Sequence, residues 1–216
     1  MSAPMLAGRL IGLRPMELDD LRFLTDLANH PVVRANVVGW DWPVSHAAQA
    51  DWLRAANGNL STRRLTVTSP TGEPVGLTGL WELDWHNRSA VTGVKLMPGI
   101  APKGAGTDSI MLMMAWAFHE VGLRRLHATI LDFNAASLGA YVRKCGWRIE
   151  GREKQAIFRG GRWNDQIRVA ALRADFESLP DADEYIGRVC ALPAVPEASA
   201  PRQAAAGQLE PAATTP

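Results

Sequence analysis

Lys103-Gly104-Ala105-Gly106-Thr107 places a run of backbone N–H groups directly ahead of an apolar, helix-periodic segment, and two of those groups sit on glycines that let an anion come close. The first amides of a helix have no partner within it and carry the positive end of its dipole, so the loop suits a phosphate or diphosphate. Of two phosphate motifs, one fails on it and the other fits it only weakly. A G-x-x-x-x-G-K-[ST] loop running from Gly99 to Gly104 needs a lysine where Ala105 stands. A dinucleotide fingerprint on Gly104 and Gly106 needs its third glycine at Ser109, and several residues separate the loop from the strand before it. A diphosphate at a strand-loop-helix junction remains.

The elements that must position this loop are readable around it. Ser89 to Met97 alternates as a half-buried strand, with Val91, Gly93 and Lys95 on one face and Thr92, Val94 and Leu96 on the other, closed by Pro98-Gly99. After the loop, Ile110, Met113, Met114, Ala117 and Phe118 form the buried face of a helix that Gly122 ends. His127 to Leu131 is a short apolar strand expected beside the central one, and Asp132 and Asn134 cap a helix carrying Ser137 and Tyr141. Earlier, a strand is expected over 9–15, a helix from Glu17 to His30-Pro31, and a second helix from the N-cap Ser45 to Asn57-Gly58. Hairpins are expected at 64–82, around Pro70 to Glu73, and at 148–172, around Gly160-Gly161.

Composition narrows the function classes. The 216 residues are 47% hydrophobic, enough for a substantial core, and carry 23 basic against 22 acidic side chains, so no general electrostatic hold on nucleic acid is indicated. Two cysteines, Cys145 and Cys190, lack the spacing of a metal knuckle or disulfide framework, which fits a reducing cytoplasm and no metal. The N-terminal residues do not read as a signal peptide, and about 18 apolar residues never run together, so no membrane partner is expected. From 191 to 216 there are nine Ala and five Pro without an aromatic, a composition expected to stay disordered.

Four stretches together carry a family resemblance: Gly93-Val-Lys-Leu-Met-Pro98, Lys103-Gly-Ala-Gly-Thr107, Asn134-Ala-Ala-Ser-Leu-Gly-Ala-Tyr141 and Lys144-Cys-Gly-Trp147. On these the chain resembles the GCN5-related N-acetyltransferases (GNAT), and within them the branch of the ribosomal-protein alanine N-acetyltransferases. The resemblance extends more weakly from Leu10 to about Phe176. It implies the GNAT α/β (α+β) fold, with a mixed, mostly antiparallel central sheet and helices on both faces, a domain over 1–176 and a C-terminal extension over 177–216.

The resemblance also implies roles. Acetyl-CoA would be the cosubstrate, with its pyrophosphate on Lys103, Gly104, Ala105, Gly106 and Thr107, Asn134 beside it, and its pantetheine arm along the main chain of Leu96 and Met97, as an added strand would lie. Tyr141, seven residues after Asn134 and about two helical turns on, matches the family's general acid, and Ser137 matches a serine near the coenzyme sulfur. Glu82, or Asp84, stands where the family places a carboxylate acting on the amine through water. Trp40 and Trp42 are candidates to line the acceptor pocket, with ordinary packing as the other reading of each.

The expected activity is acetyl transfer from acetyl-CoA, by direct attack on the thioester, to a primary amine of a small molecule or a protein N-terminus, in a monomer or homodimer. A noncatalytic acyl-CoA sensor using the same cradle is the alternative. Asn134 and Tyr141 occurring together favour the enzyme.

Overall fold

The computed structural model describes residues 5–190; the Ala- and Pro-rich tail from 191, expected to be disordered, lies outside them. In chain order the elements are β1 (Leu6–Ala7), β2 (Gly12–Pro15), a 3₁₀ turn (Leu18–Asp20), α1 (Leu21–Asn29), α2 (Pro31–Asn36), α3 (His46–Gly58), β3 (Arg63–Thr68) and β4 (Pro74–Asp84). Then come β5 (Ser89–Thr92), β6 (Lys95–Leu96), α4 (Ala105–Ala115), β7 (Arg125–Leu131), α5 (Ala135–Leu138), β8 (Arg148–Arg159), β9 (Arg162–Leu172), α6 (Arg173–Glu177) and α7 (Ala182–Cys190). π turns over Trp116–Glu120 and Gly139–Lys144 prolong α4 and α5.

The strands form one sheet in the order β1-β2-β3-β4-β5-β7-β9-β8, with β6 attached to β4 alone. Every pairing is antiparallel except β5 with β7, which the crossover through α4 makes parallel. Helices cover both faces. On one, Leu65, Val67, Leu80, Ala90, Leu126 and Ile130 pack with α4. On the other, Leu24, Leu27, Val33 and Leu53 of α1 to α3 pack on Leu77. The mixed, mostly antiparallel sheet with helices on both faces is the fold expected from the sequence.

Local signals act where they were read. Ser45 caps α3 by accepting the Ala48 N–H at 3.1 Å. His30-Pro31 ends α1, but Pro31 also opens α2 as its first residue, where a missing N–H costs nothing. The buried Asp20 carboxylate accepts both Arg14 guanidinium N–H groups at 2.7 Å and the Thr66 hydroxyl at 2.9 Å, tying the 3₁₀ turn to β2 and β3. Burial opposes its charge, yet these donors and the Glu17 amide hold its pKa below the usual range.

Two features differ from expectation. α4 is buried all round rather than on one face, Met111, Leu112 and Ala115 included. The reason is α7, whose Ala182, Tyr185 and Val189 join the same core. Packing on α4 therefore continues past 176, through α7 to Val189. Asp108, in the first turn of α4 and only 3% exposed, makes the junction. Its Oδ1 accepts the Arg9 N–H and the Tyr185 hydroxyl, at 3.1 and 2.6 Å, while Oδ2 accepts the Leu10 and Ile11 N–H groups at 2.7 and 3.1 Å. Arg9 adds ion pairs to Asp181 and Glu184, so both ends of the described chain close on the helix that follows the glycine loop.

Candidate active site

At the cradle, Gly104 takes φ +96°, a conformation that L side chains resist, and a Cβ there would stand 3.0 Å from Leu10 Cδ1. The N–H groups of Lys103, Gly104, Gly106 and Thr107 have no acceptor among the described residues. Ala105 departs from its expected role: its N–H is taken by the Pro102 carbonyl at 3.0 Å and its side chain is buried in the core. The donor run is therefore interrupted at its centre. Cys145, beneath the loop with Sγ 3.8 Å from the Thr107 carbonyl, is a buried thiol whose pKa burial pushes up to about 12.

Beside the cradle the sheet opens. β5 pairs with β7 from Ser89↔Arg125 to Val91↔His127 and then stops, while β6 continues along β4 and β7 along β9. The Thr78 hydroxyl donates to the Gly93 carbonyl at 3.1 Å and the Met97 N–H to the Val75 carbonyl at 2.9 Å, which keeps the departing strand on β4. Because backbone groups of an antiparallel strand alternate sides, Val94 and Leu96 turn theirs toward the gap. Leu96 thus presents a backbone edge toward the gap. Met97 does not: its N–H is spent on Val75 and its carbonyl accepts the Ala101 N–H at 3.5 Å.

Tyr141 lies at the start of this gap. Its ring meets Trp147 edge-on, with centroids 4.9 Å apart and planes at 89°, and only 4% of the residue is exposed. The hydroxyl is buried without a hydrogen-bond partner and faces the Val94 backbone. Burial pushes its pKa well up, so the proton stays on. Asn134 stands outside the helix as its cap, accepting the Ser137 N–H at 3.0 Å, and the π turn from Gly139 breaks the two-turn spacing that would put Asn134 and Tyr141 on one face. The half-buried Ser137 hydroxyl makes no bond among the described residues.

On the α1–α3 side, Trp40 is half-buried, with the Lys95 ammonium 5.8 Å from its ring centre. Trp42 is 83% exposed. Glu82 sits at a bulge in β4 with φ +53°, strained for a residue with a side chain, and its carboxylate lies close enough to His127 to favour the imidazolium. Asp84 is committed to a turn, accepting the Asn87 N–H at 2.8 Å and its side-chain amide at 2.7 Å. His127 is half-buried, with an unpartnered Nδ1, and burial lowers its pKa.

Arg64, Lys95, Trp52, Trp81 and Arg159 complete this side. Arg64 lies opposite Gly79 and Lys95 opposite Leu77, which puts both on the Trp81 face of the sheet. The Arg64 guanidinium stands 5.0 Å from the Trp81 ring centre and 5.2 Å from that of Trp52, and Lys95 Nζ stands 4.3 Å from Trp81. Arg159, at the end of β8, donates to the carbonyls of Arg34, Val37 and Trp40 and pairs with Asp41, holding the loop that presents Trp40. The two-residue spacing from Leu77 to Trp81 and from Val91 to Lys95 was the one available signal for this face. Arg159 had none.

Among the described residues no helix is long and apolar enough to cross a membrane, and no group of three or more His, Cys, Asp or Glu could hold a metal ion.

The family described as Acetyltransferase (GNAT) domain matches residues 10–148. Spermidine N(1)-acetyltransferase of Escherichia coli strain K12 is 25% identical over 172 residues, covering 80% of this chain and 91% of that protein. A crystal structure of spermidine N-acetyltransferase from Vibrio cholerae in complex with CoA and spermine superposes with a TM-score of 0.72 at 24% identity, over 78% of this chain and 98% of that one. A dodecameric structure of the Vibrio cholerae enzyme gives 0.68 at 24% identity, over 78% and 96%. At such identities the superpositions establish the fold.

Proposed function

This chain belongs to the acetyltransferase (GNAT) domain family, and from that premise we propose that it moves an acetyl group from acetyl-CoA directly to a primary amine held where β6 parts from β7. The unpaired N–H groups of Lys103, Gly104, Gly106 and Thr107 take the pyrophosphate at the positive end of α4. Leu96, with Val94, offers the strand edge along which the amide-bearing pantetheine arm lies. Asn134 and Ser137 border the arm from α5.

The observation that carries the mechanism is the Tyr141 hydroxyl, buried, protonated and without a partner at the opening of the gap. As the neutral amine attacks the thioester carbonyl and the C–S bond breaks, Tyr141 donates its proton to the departing thiolate, whose free pKa is about 8.5. Glu82, at the rim, accepts the amine proton through water. The α-amine of a peptide, with a pKa of about 8, asks less of that base than a lysine amine at about 10.4.

Tyr141→Phe keeps the ring and its buried area and deletes only the donor. General acid catalysis typically contributes about 100- to 10,000-fold, so single-turnover acetylation should slow by ~100-fold or more with coenzyme A affinity unchanged. Ser137→Ala should cost less. A Tyr141→Phe enzyme keeping more than about half the wild-type rate would return the tyrosine to the core as a packing residue.

The acceptor is a small-molecule amine or a protein N-terminus. Spermidine, named for the relatives, and an alanine-terminated peptide, suggested by the ribosomal-protein branch, are the first two to compare. Coenzyme binding without acetylation of any amine would favour the sensor reading. We also read the protein as cytoplasmic, as its free cysteines Cys145 and Cys190 fit, and as a monomer or homodimer. Light scattering tests that state, a dodecamer being the contrary result.

A further inference from the structure

Building on the acetyltransferase reading, we propose that the acceptor amine carries an anionic group, a carboxylate, received by Arg64 and Lys95 inside the tryptophan box of Trp40, Trp52 and Trp81. Two cations converge on the single ring of Trp81, Arg64 at 5.0 Å and Lys95 at 4.3 Å, and each also lies over a second tryptophan. Neither hydrogen-bonds or ion-pairs with a carboxylate among the described residues, and the Arg64 Nε is buried without a partner. Ten other arginines each hold an acid, most of them at the surface, whereas these two lie against aromatic rings with none.

The acids nearby are otherwise engaged. Asp41 is held by Arg159, Asp84 by its turn, and Glu82 is exposed at the bulge beside His127. Burial first, and then repulsion from Arg64, brings the Lys95 pKa down to about 7, the shift of an ammonium with no acid beside it. A carboxylate there would relieve both cations. A polyamine would add charge of the same sign, and the aromatic faces that attract cations are already occupied by the protein's own.

The box also adjoins the reacting centre. Lys95 follows Val94, whose backbone faces the Tyr141 hydroxyl, and its Nζ folds back to 3.5 Å from where a Cβ on Gly93 would stand. An anion bound at Lys95 therefore holds an attached amine beside the gap.

The experiment is acetylation kinetics with acetyl-CoA and a panel of amino acids and alanyl dipeptides, each paired with its C-terminal amide, and with spermidine. A hydrogen bond to a charged group corresponds to roughly 10- to 100-fold, so kcat/KM for the carboxylates should exceed that for their amides by about that factor. Arg64→Gln and Lys95→Met should each bring the ratio toward one, mainly by raising KM for the carboxylate acceptors. Two independent variants are used so that one failing to fold leaves the other to decide. Equal rates for carboxylates and amides, a preference for spermidine, or a ratio preserved in the folded variants would overturn the anionic acceptor and leave the acetyltransferase standing. Binding of acetyl-CoA with no amine acetylated would overturn the acetyltransferase reading itself, and this inference with it.

Discussion

Asp108→Asn keeps the side chain's size and removes its charge, and neither orientation of the amide satisfies the four donors that converge on it. With NH₂ in place of Oδ2 it would point at the Leu10 and Ile11 N–H groups; turned over, it would face the Arg9 N–H and the Tyr185 hydroxyl. The second is the better arrangement, because Tyr185 can rotate its hydroxyl to accept. It still sets one backbone donor against another and makes two charge-assisted bonds neutral. Bonds to charged groups contribute ~1.5–3 kcal/mol and neutral ones ~0.5–1.5 kcal/mol, so one lost and two weakened bonds cost about 3–5 kcal/mol. For a domain of this size 1 kcal/mol shifts Tm by ~2–4 °C, which makes the expected fall about 6–20 °C by calorimetry. Tyr185→Phe alone should cost about 1–3 kcal/mol. The double variant should lose less than the sum, since both changes act on one carboxylate. A Tm for Asp108→Asn within about 2 °C of wild type would mean that the carboxylate does not hold the two ends of the chain to α4.

Gly104→Val forces a branched side chain to φ +96° and into Leu10, and should weaken coenzyme A binding at least ~10-fold by calorimetry; unchanged affinity in a folded variant would remove the cradle assignment. Arg159→Ala frees the loop bearing Trp40, so the KM for the amine should rise several-fold while coenzyme A affinity stays the same; the reverse pattern would show that Arg159 serves the coenzyme side. Lys95→Met tests linkage in the unliganded protein. The folded pKa of about 7 lies below the ordinary 10.5, so the native state resists a proton that the unfolded chain binds; the penalty is complete below pH 7 and fades as pH rises toward 10.5. The variant should therefore gain most in Tm near pH 6 and least near pH 10, and an equal gain at both would contradict the buried ammonium.

What was legible in the sequence was what neighbouring residues decide for themselves. Ser45, Pro31 and the Gly160-Gly161 turn act within a few residues of their own positions, and each punctuates the structure where it was read. The break at Gly93–Val94 left no local trace. Alternation survives it, with Val91 and Lys95 still on one face, and what diverts the strand is Thr78 and Val75 on its neighbour. The tryptophan box was hidden for a related reason. Arg64, Trp81 and Lys95 each resemble an ordinary half-buried strand residue until pairing aligns them, and Trp52 arrives from a helix across the sheet. Met97 and Ala105 sit at expected positions, but their backbone groups are taken by Val75, Ala101 and Pro102, which spacing alone does not reveal.

The closure of residues 9–11 and of α7 on α4 has a consequence for how the protein comes to exist. Tyr185 and the acids that hold Arg9 are among the last described residues to be synthesised, 77 positions after Asp108 and about 175 after Arg9. Until they have left the ribosome, the outward side of α4 is an apolar surface without cover, and the loop it supports is fastened at one end only. Contacts this distant in sequence slow folding, because a long loop must close before they contribute. The glycine cradle, written near the middle of the chain, is therefore completed by its end, and a nascent chain stopped before residue 180 carries the binding motif without the packing that stabilises it.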